Sequence, residues 1–81
     1  MITQWKNDPN FYGKRILVNE NGKVLAFTSC CRGKVTAYRG DSWVRPVEIF
    51  TRSVISDHAP DSHDEKKWRQ LEREVERMVT E

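Results

Sequence analysis

The chain contains few of the residues that build a cross-linked or membrane-spanning protein. Of its 81 residues, only two are cysteine, four are glycine and three are proline. Cys30 and Cys31 are adjacent, so they provide no disulfide framework, and we expect reduced thiols. No apolar stretch approaches the roughly 18 residues of a membrane span, and the first ten residues lack the apolar core of a secretory signal. A soluble cytoplasmic protein without a membrane partner is therefore expected.

The size and composition of the chain limit it to one small core. Its mass is 9.6 kDa, 37% of its residues are hydrophobic and 32% are charged. A chain of this length buries only about 60% of its unfolded surface. The sequence therefore predicts a single domain, and it excludes a large enzyme.

Alternating apolar and polar residues predict four or five short strands. Residues 15–19 and 23–28 flank Asn21-Gly22, a pair that accepts the backbone angles of a tight β-turn, and they predict a hairpin. A third strand is expected over 34–39. A fourth strand is expected to begin at Trp43-Val44-Arg45, before Pro46, and another short strand is expected over 49–55.

The last third of the chain predicts an amphipathic helix that runs to about residue 79. Ser62-His63-Asp64-Glu65 has the spacing of a capping box, in which the Ser62 hydroxyl and the Glu65 carboxylate each accept a hydrogen bond from the other residue's backbone N–H. Beyond it, apolar residues recur at spacings of three and four, at Trp68, Leu71, Val75 and Met78. This spacing places them on one face of the helix.

Together these patterns predict an α+β fold, in which a small antiparallel sheet or partly open barrel of four to five strands is followed by one C-terminal amphipathic helix. An irregular aromatic arm is expected over 1–13, and a basic sheet or barrel over 14–55. A linker and helix cap are expected over 56–62, followed by a helix over 63–80 that packs on the sheet. All four segments belong to one domain.

The formal net charge of +2 hides an uneven distribution. Eight basic and three acidic residues between 14 and 52 give that segment a charge of +5, whereas five basic and eight acidic residues between 57 and 81 give −3. The chain is thus a basic sheet segment followed by an acidic helix. Such a layout permits an anionic partner on one side of the molecule.

The basic segment suggests a nucleic-acid interface. Lys34 and Tyr38 share one face of their predicted strand, and Trp43 and Arg45 share one face of the next. Cations interleaved with aromatic rings are typical of surfaces that neutralise phosphates and stack on unpaired bases. The candidate binding residues are Arg32, Lys34, Tyr38, Arg39, Trp43 and Arg45. The alternative is that Trp43 is a core residue, Tyr38 is half-buried and the cations only make the sheet soluble.

A protein partner is the second possibility. Trp68, Leu71, Val75 and Met78 form a stripe that could dock into a partner groove, or pair with the same helix of a second copy to give a homodimer. The stripe spans little more than two heptads, which favours packing against the sheet instead. The aromatic residues of the first segment, Trp5, Phe11 and Tyr12, offer another contact surface.

Catalytic and metal-binding chemistry has weak support in the sequence. Cys30 with His58 or His63 could form a thiolate pair, but no spacing places these residues together. Aspartate and histidine residues cluster before the helix, at Asp57, His58, Asp61, His63 and Asp64. Aspartates in this position are usually helix caps, and adjacent cysteines do not have the C-x-x-C spacing of structural zinc sites. We therefore expect no enzyme, no metal and no cofactor.

Residues 13–55 resemble a group of small uncharacterised proteins of lambdoid phages and enterobacterial prophages. The resemblance is carried by Asn21-Gly22-Lys23-Val24, then Gly33-Lys34-Val35, then Arg45-Pro46-Val47-Glu48-Ile49-Phe50. In that group this spacing accompanies a small Src-homology-3-like or Sm/Tudor-like barrel. The resemblance implies an accessory or regulatory protein that acts by binding, and it supplies no catalytic residues.

The function expected from these features is that of a small, non-enzymatic regulatory binding protein, encoded by a phage or prophage and acting on a host macromolecule. Nucleic-acid binding through the basic β face is the first mechanism. The alternative is an inhibitor or adaptor that contacts a host protein through its helix or its aromatic arm.

Overall fold

A computed structural model describes residues 2–41, 44–59 and 61–80 of the protein. It confirms the expected fold class, because an antiparallel sheet is followed by one C-terminal helix. The strands and the helix are β1 (Thr3–Asn7), β2 (Lys14–Asn19), β3 (Val24–Cys31), β4 (Lys34–Arg39), β5 (Val47–Ser53) and α1 (Glu65–Thr80).

The sheet is a simple meander. Its strand order is β1-β2-β3-β4-β5, so each strand pairs with its neighbour in sequence and the sheet is open, with β1 and β5 at its edges. The pairing register shifts between Leu17 and Val18, and again between Ala37 and Tyr38. Bulges of this kind bend a strand and increase the local twist. The outcome is an open sheet rather than a closed barrel.

The first segment is more ordered than its sequence predicts. The expectation of an irregular arm over 1–13 is wrong for Thr3–Asn7, which pairs antiparallel with β2 and places Trp5 opposite Leu17. Within this strand Thr3 and Trp5 are partly buried while Gln4 and Lys6 are exposed. A strand of five residues is too short to show its period in sequence, so the pairing partner decides its conformation.

The segment before β5 also differs from expectation. Trp43, where a fourth strand was expected to begin, lies outside the described residues, and Val44 and Arg45 form a bend. The strand begins at Val47, immediately after Pro46. Proline has no backbone N–H to donate to a strand ladder, so the strand begins only beyond it. The strand expected to begin at residues 43–45 is therefore wrong for Val44 and Arg45, and the short strand expected over 49–55 is present as β5.

The core lies between α1 and one face of the sheet. Two helix residues, Leu71 and Val75, are buried against a layer of fully buried sheet-side residues, namely Leu17, Ala26, Val35, Ala37 and Val54. Burying one leucine or valine side chain contributes about 1.5–3 kcal/mol. The helix therefore packs on the sheet as predicted, and it covers the apolar residues that alternate along β2, β3 and β4.

The start of the helix differs from the predicted capping box. The helix begins at Glu65, and the carboxylate of Asp64 accepts hydrogen bonds from the backbone N–H of Lys66 at 2.9 Å and of Lys67 at 3.4 Å. Asp64 is thus the N-cap, and the prediction of Ser62 is wrong. Ser62 instead belongs to a chain reversal, in which its carbonyl accepts from the Ser56 N–H at 2.9 Å.

Gly33 in the β3–β4 turn is required for two independent reasons. Its φ of +77° is unfavourable for residues with a side chain, and a Cβ atom there would lie 2.4 Å from Ile55 Cγ1. Gly22 has a similar φ of +82°, but a Cβ atom there would have no neighbour within 4 Å. Comparing the same substitution at Gly33 and at Gly22 therefore separates the cost of backbone strain from the cost of steric overlap.

We predict that Gly33→Ala lowers the free energy of unfolding more than Gly22→Ala does. Both substitutions carry a cost of about 1–2 kcal/mol for the left-handed backbone. Gly33→Ala adds roughly 1–3 kcal/mol because the side chain of Ile55 has to move. Urea unfolding of both variants and the wild type measures the difference. Equal losses for the two variants would show that Ile55 accommodates the extra carbon without cost.

Candidate nucleic-acid interface

Of the six residues expected to form a basic β face, the five that the structure describes do not form one surface. Lys34 and Tyr38 lie on the sheet face away from the helix, because Val35 and Ala37 between them are buried under it. Arg39 lies on the helix side, where its guanidinium donates to the Met78 carbonyl at 3.3 Å. The remaining three are Arg32 in the β3–β4 turn, Arg45 in the bend before β5, and Trp43, which lies outside the described residues.

The helix stripe is also divided. Leu71 and Val75 are buried in the core, so they are not available to a partner, and Trp68 is half-buried beside them. Met78 is exposed, and Val79 packs against the core in its place. The α-helix has 3.6 residues per turn, so a stripe drawn at spacings of three and four drifts off the buried face over the nearly three turns from Trp68 to Met78.

The most exposed of the described aromatic residues lie in the loop between β1 and β2. Phe11 is 54% exposed and Tyr12 is fully exposed at 108%. The Lys14 N–H donates to the Phe11 carbonyl at 3.3 Å, which closes a four-residue turn, and Gly13 in its third position has the φ of +78° that a type II turn requires. Tyr12 therefore occupies the tip of the turn, which explains its exposure.

This loop is held in place by polar contacts at its base. The Asp8 carboxylate accepts from the Asn10 backbone N–H at 2.8 Å and pairs with Lys14 Nζ at 3.2 Å. These two partners hold the pKa of Asp8 below its usual value. Lys14 Nζ also lies 5.1 Å from the ring centre of Phe11 and 4.8 Å from that of Phe27. The loop is thus anchored although its aromatic tip faces solvent.

On the face away from the helix, Phe27 links the loop to the sheet. Its side chain is fully buried, and its ring stacks on Tyr38 with the centres 4.8 Å apart. Tyr38, a candidate binding residue in the sequence, is thus half-buried in this small cluster, as the alternative interpretation expects. Among the described residues, the exposed aromatic rings at this end of the molecule are those of Phe11 and Tyr12.

The β3–β4 turn brings two cations to the same end of the sheet. Arg32 occupies the tip of this turn and Lys34 begins the following strand, and both residues are exposed. Neither side chain makes a hydrogen bond or an ion pair with any residue in the described ranges. The turn adjoins the aromatic loop, because the Cys30 N–H donates to the Gly13 carbonyl at 3.0 Å.

A groove of about 870 Å³ runs between the aromatic loop, the β3–β4 turn and the first half of α1. Phe11, Tyr12 and Arg32 line one side of it, and Trp68 and Arg69 belong to the helix side. Its volume falls within the range of about 300–1,000 Å³ that is typical of ligand sites. The groove therefore combines aromatic and cationic side chains at one end of the protein.

Internal ion pairs decide which cations of the groove remain available. Arg15 Nε lies 2.6 Å from Glu72 Oε2, and Arg15 also donates to the Asn7 side-chain oxygen at 2.8 Å. Lys14 is paired with Asp8, as described above, and Arg69 with Glu65 at 3.5 Å in an exposed pair. Among the lining cations of the described chain, Arg32 thus has no neutralising partner.

The residues considered for catalysis and metal binding have other roles in the structure. Cys30 and His63 both line the groove, but burial raises the pKa of the Cys30 thiol, which disfavours the thiolate needed for nucleophilic attack. Asp57 pairs with Lys67 Nζ at 2.9 Å, and Asp64 caps the helix. Within the described part of the chain, no group of three or more His, Cys, Asp or Glu residues is arranged to hold a metal ion.

Sequence reasoning placed Phe11 and Tyr12 in an aromatic arm but did not include them among the nucleic-acid candidates. The signal was present in Pro9, Asn10 and Gly13, which are turn-forming residues around the two rings. A turn holds its tip away from the body, so aromatic residues there are exposed. The proximity of this loop to Arg32 follows from the pairing of β2 with β3, which sequence spacing does not reveal.

No protein-family model matches the chain, and no significant match is found among curated proteins or among solved structures. The described part of the chain has no helix that is long and apolar enough to cross a membrane. The candidate interface therefore rests on the geometry of this chain alone.

The buried carboxylate at the back of the groove predicts a pH dependence of stability. Burial raises the pKa of Glu72 above its ordinary value of 4.5, and the guanidinium of Arg15 offsets only part of that rise. The folded state therefore binds this proton more tightly than the unfolded chain does. The free energy of unfolding consequently falls as the pH rises from about 4.5 through the folded-state pKa.

We predict that Glu72→Gln reduces the fall of the free energy of unfolding with rising pH, because glutamine does not titrate. Urea unfolding at a series of pH values between roughly pH 4 and pH 7 measures the slope. The slope is the informative quantity, since the variant also changes the contact with Arg15 and hence the absolute stability. Glu20→Gln, in the exposed β2–β3 turn, is the control for converting a carboxylate to an amide. A wild-type slope in Glu72→Gln would contradict the prediction.

Proposed function

We propose that the protein is a small non-enzymatic regulatory protein that binds single-stranded nucleic acid at the end of the sheet that carries Phe11, Tyr12, Arg32 and Lys34. The observation that carries the proposal is that two exposed aromatic side chains, Phe11 and Tyr12, line one groove with Arg32. Arg32 and Lys34, which flank Gly33 in the adjoining turn, are exposed cations whose side chains have no partner among the described residues. These four residues are called the aromatic-cationic end below.

Each half of this arrangement has a distinct role in binding an unpaired strand. The cations neutralise phosphates, and this contribution is independent of sequence and sensitive to salt. The rings of Phe11 and Tyr12 supply faces on which bases stack, which contributes about 1–3 kcal/mol per base. Bases within a duplex are already stacked on each other, so the aromatic-cationic end favours single strands.

The charge of the sheet supports the location. Much of the positive charge of the sheet segment is used within the fold, because Arg15 and Arg52 pair with Glu72 and Glu74 of the helix. Arg32 and Lys34 form no ion pair within the described part of the chain. Four lysine or arginine residues and three acidic residues line the groove, and among those cations Arg32 keeps an unneutralised charge beside the exposed rings. An origin in a phage or prophage and a host target stay predictions from the resemblance described above.

We predict that Tyr12→Ala weakens binding of single-stranded oligonucleotides by roughly 5-fold to 150-fold, the loss that corresponds to one stacked base. Because Tyr12 is fully exposed, the substitution changes stability by less than about 0.5 kcal/mol. Fluorescence anisotropy with labelled oligothymidylate and oligouridylate at low salt measures the affinity, and urea unfolding measures the stability.

Two control variants accompany this measurement. Tyr12→Phe keeps the aromatic ring and is expected to bind like the wild type. Met78→Ala removes an exposed apolar side chain at the C-terminal end of the helix and is expected to leave the affinity unchanged. An absence of binding to both oligonucleotides by the wild-type protein at low salt would overturn the proposed function.

A second candidate function, binding of a host protein, is favoured by a separate observation. Val47 and Met78 are 59% and 46% exposed, and Arg39 connects them, since it lies opposite Val47 in the sheet and donates to the Met78 carbonyl. Val47 belongs to the edge strand β5, whose unpaired backbone groups offer a template for another chain. This surface belongs to the opposite end of the helix from the groove.

We predict for this alternative that the double variant Val47→Thr with Met78→Gln no longer retains a partner protein that the wild type retains in a pull-down from cell lysate. Both substitutions keep the local strand or helix propensity, so the fold is expected to persist. Recovery of the same protein by both forms would exclude this surface as the interface.

A further inference from the structure

We infer that Arg32 is the phosphate-contacting residue of the aromatic-cationic end, and that the β3–β4 turn keeps an arginine there at a cost to its own stability. The inference rests on the proposed function. It assigns the contact with the nucleic acid to one residue, Arg32, and to one chemical group, the phosphodiester. Its basis is a backbone conformation that Arg32 does not favour and that no contact within the described chain explains.

The geometry of the β3–β4 turn shows that Arg32 has a backbone conformation that arginine does not favour. Cys31 and Lys34 are paired across β3 and β4, so the connection consists of Arg32 and Gly33 alone. Their φ values are +52° and +77°, and positive φ at both central positions is the pattern of a type I′ turn. Such turns favour asparagine, aspartate or glycine at the first position. Arg32 is the one described residue other than glycine with positive φ.

The β2–β3 turn of the same chain shows how a connection is stabilised without such strain. There Gly22 adopts the positive φ, and the Asn19 side-chain oxygen accepts from the backbone N–H groups of Asn21 and Lys23, both at 2.9 Å. Side-chain chemistry and backbone geometry agree in that turn. In the β3–β4 turn, by contrast, the arginine side chain at position 32 does not suit the backbone conformation.

No contact within the described ranges compensates for the unfavourable backbone conformation of Arg32. Arg32 is exposed, and its guanidinium makes no hydrogen bond, ion pair or ring contact with any described residue. A residue held in an unfavourable conformation without a contact inside the fold points to a contact outside it. Arg32 lines the groove together with Phe11 and Tyr12, so that contact lies beside the exposed rings.

The guanidinium determines the kind of contact. Its planar set of N–H donors binds two phosphate oxygens at once, and it keeps its charge at every physiological pH. A phosphate contact carries no sequence information, whereas the neighbouring rings stack on any base. The inference therefore predicts an affinity that depends on salt and hardly at all on base sequence.

The test compares Arg32→Asn with Arg32→Lys. Asparagine suits the turn but lacks the charge, so Arg32→Asn is expected to raise the Tm by about 4 °C or more. It is also expected to weaken binding of oligothymidylate and oligouridylate by roughly tenfold, and to reduce the slope of log affinity against log salt by about 0.7. Arg32→Lys keeps the charge and is expected to retain the wild-type slope with a Tm close to that of the wild type.

The outcomes separate this inference from the proposed function. If the wild type binds and Arg32→Asn binds with the same affinity and salt slope, Arg32 is not the phosphate contact, although the proposed function stands. If Arg32→Asn fails to raise the Tm, the turn is not strained by arginine and the inference is wrong. If the wild type binds neither oligonucleotide, both the function and the inference are overturned. Weaker binding by a more stable variant supports the inference, because unfolding cannot produce that result.

Discussion

The packing of one helix face on one sheet face is the interaction on which the rest of the structure depends. Leu71 and Val75 close a layer formed by buried residues of three strands and by Val54, which follows the last strand. Within the described part of the chain, it is the helix that removes those side chains of the open sheet from water. The helix also positions the groove, since one of its sides is the N-terminal half of the helix.

Electrostatic contacts cross the same interface between helix and sheet, and they show that the uneven charge distribution also stabilises the fold. Three acidic side chains of the helix face the sheet, where Glu72 contacts Arg15, Glu74 contacts Arg52, and Glu76 accepts from the Thr3 hydroxyl. The basic sheet segment and the acidic helix are thus partly complementary to each other. Opposite charges placed in separate segments of the sequence thus help to hold this fold together. The cations available for the proposed binding are those that remain after internal pairing, such as Arg32.

The structure also shows a conflict between local stability and surface chemistry in its turns. At Gly33 both the backbone and the packing of Ile55 require glycine, so that position serves the fold. The preceding residue, Arg32, has the same handedness of backbone with none of the packing reason. The two neighbouring residues of this turn are therefore subject to different constraints. The aromatic loop is similar, because Gly13 provides the backbone conformation of its turn whereas the Tyr12 side chain is fully exposed.

The sequence by itself determined the fold class, most strand positions and the buried face of the helix. These features depend on local periodicity, so residues 15–28, 34–39 and 68–75 indicated them without knowledge of any partner strand. It did not reveal β1, because five residues show no reliable period, and it placed the helix cap two residues early, because Ser62 is held by a bond to Ser56. Only the tertiary structure decided which cations are neutralised and that Phe11 and Tyr12 lie beside Arg32. Those relations arise from strand pairing and from helix docking between residues that are far apart in the chain, and local pattern carries no information about such distances.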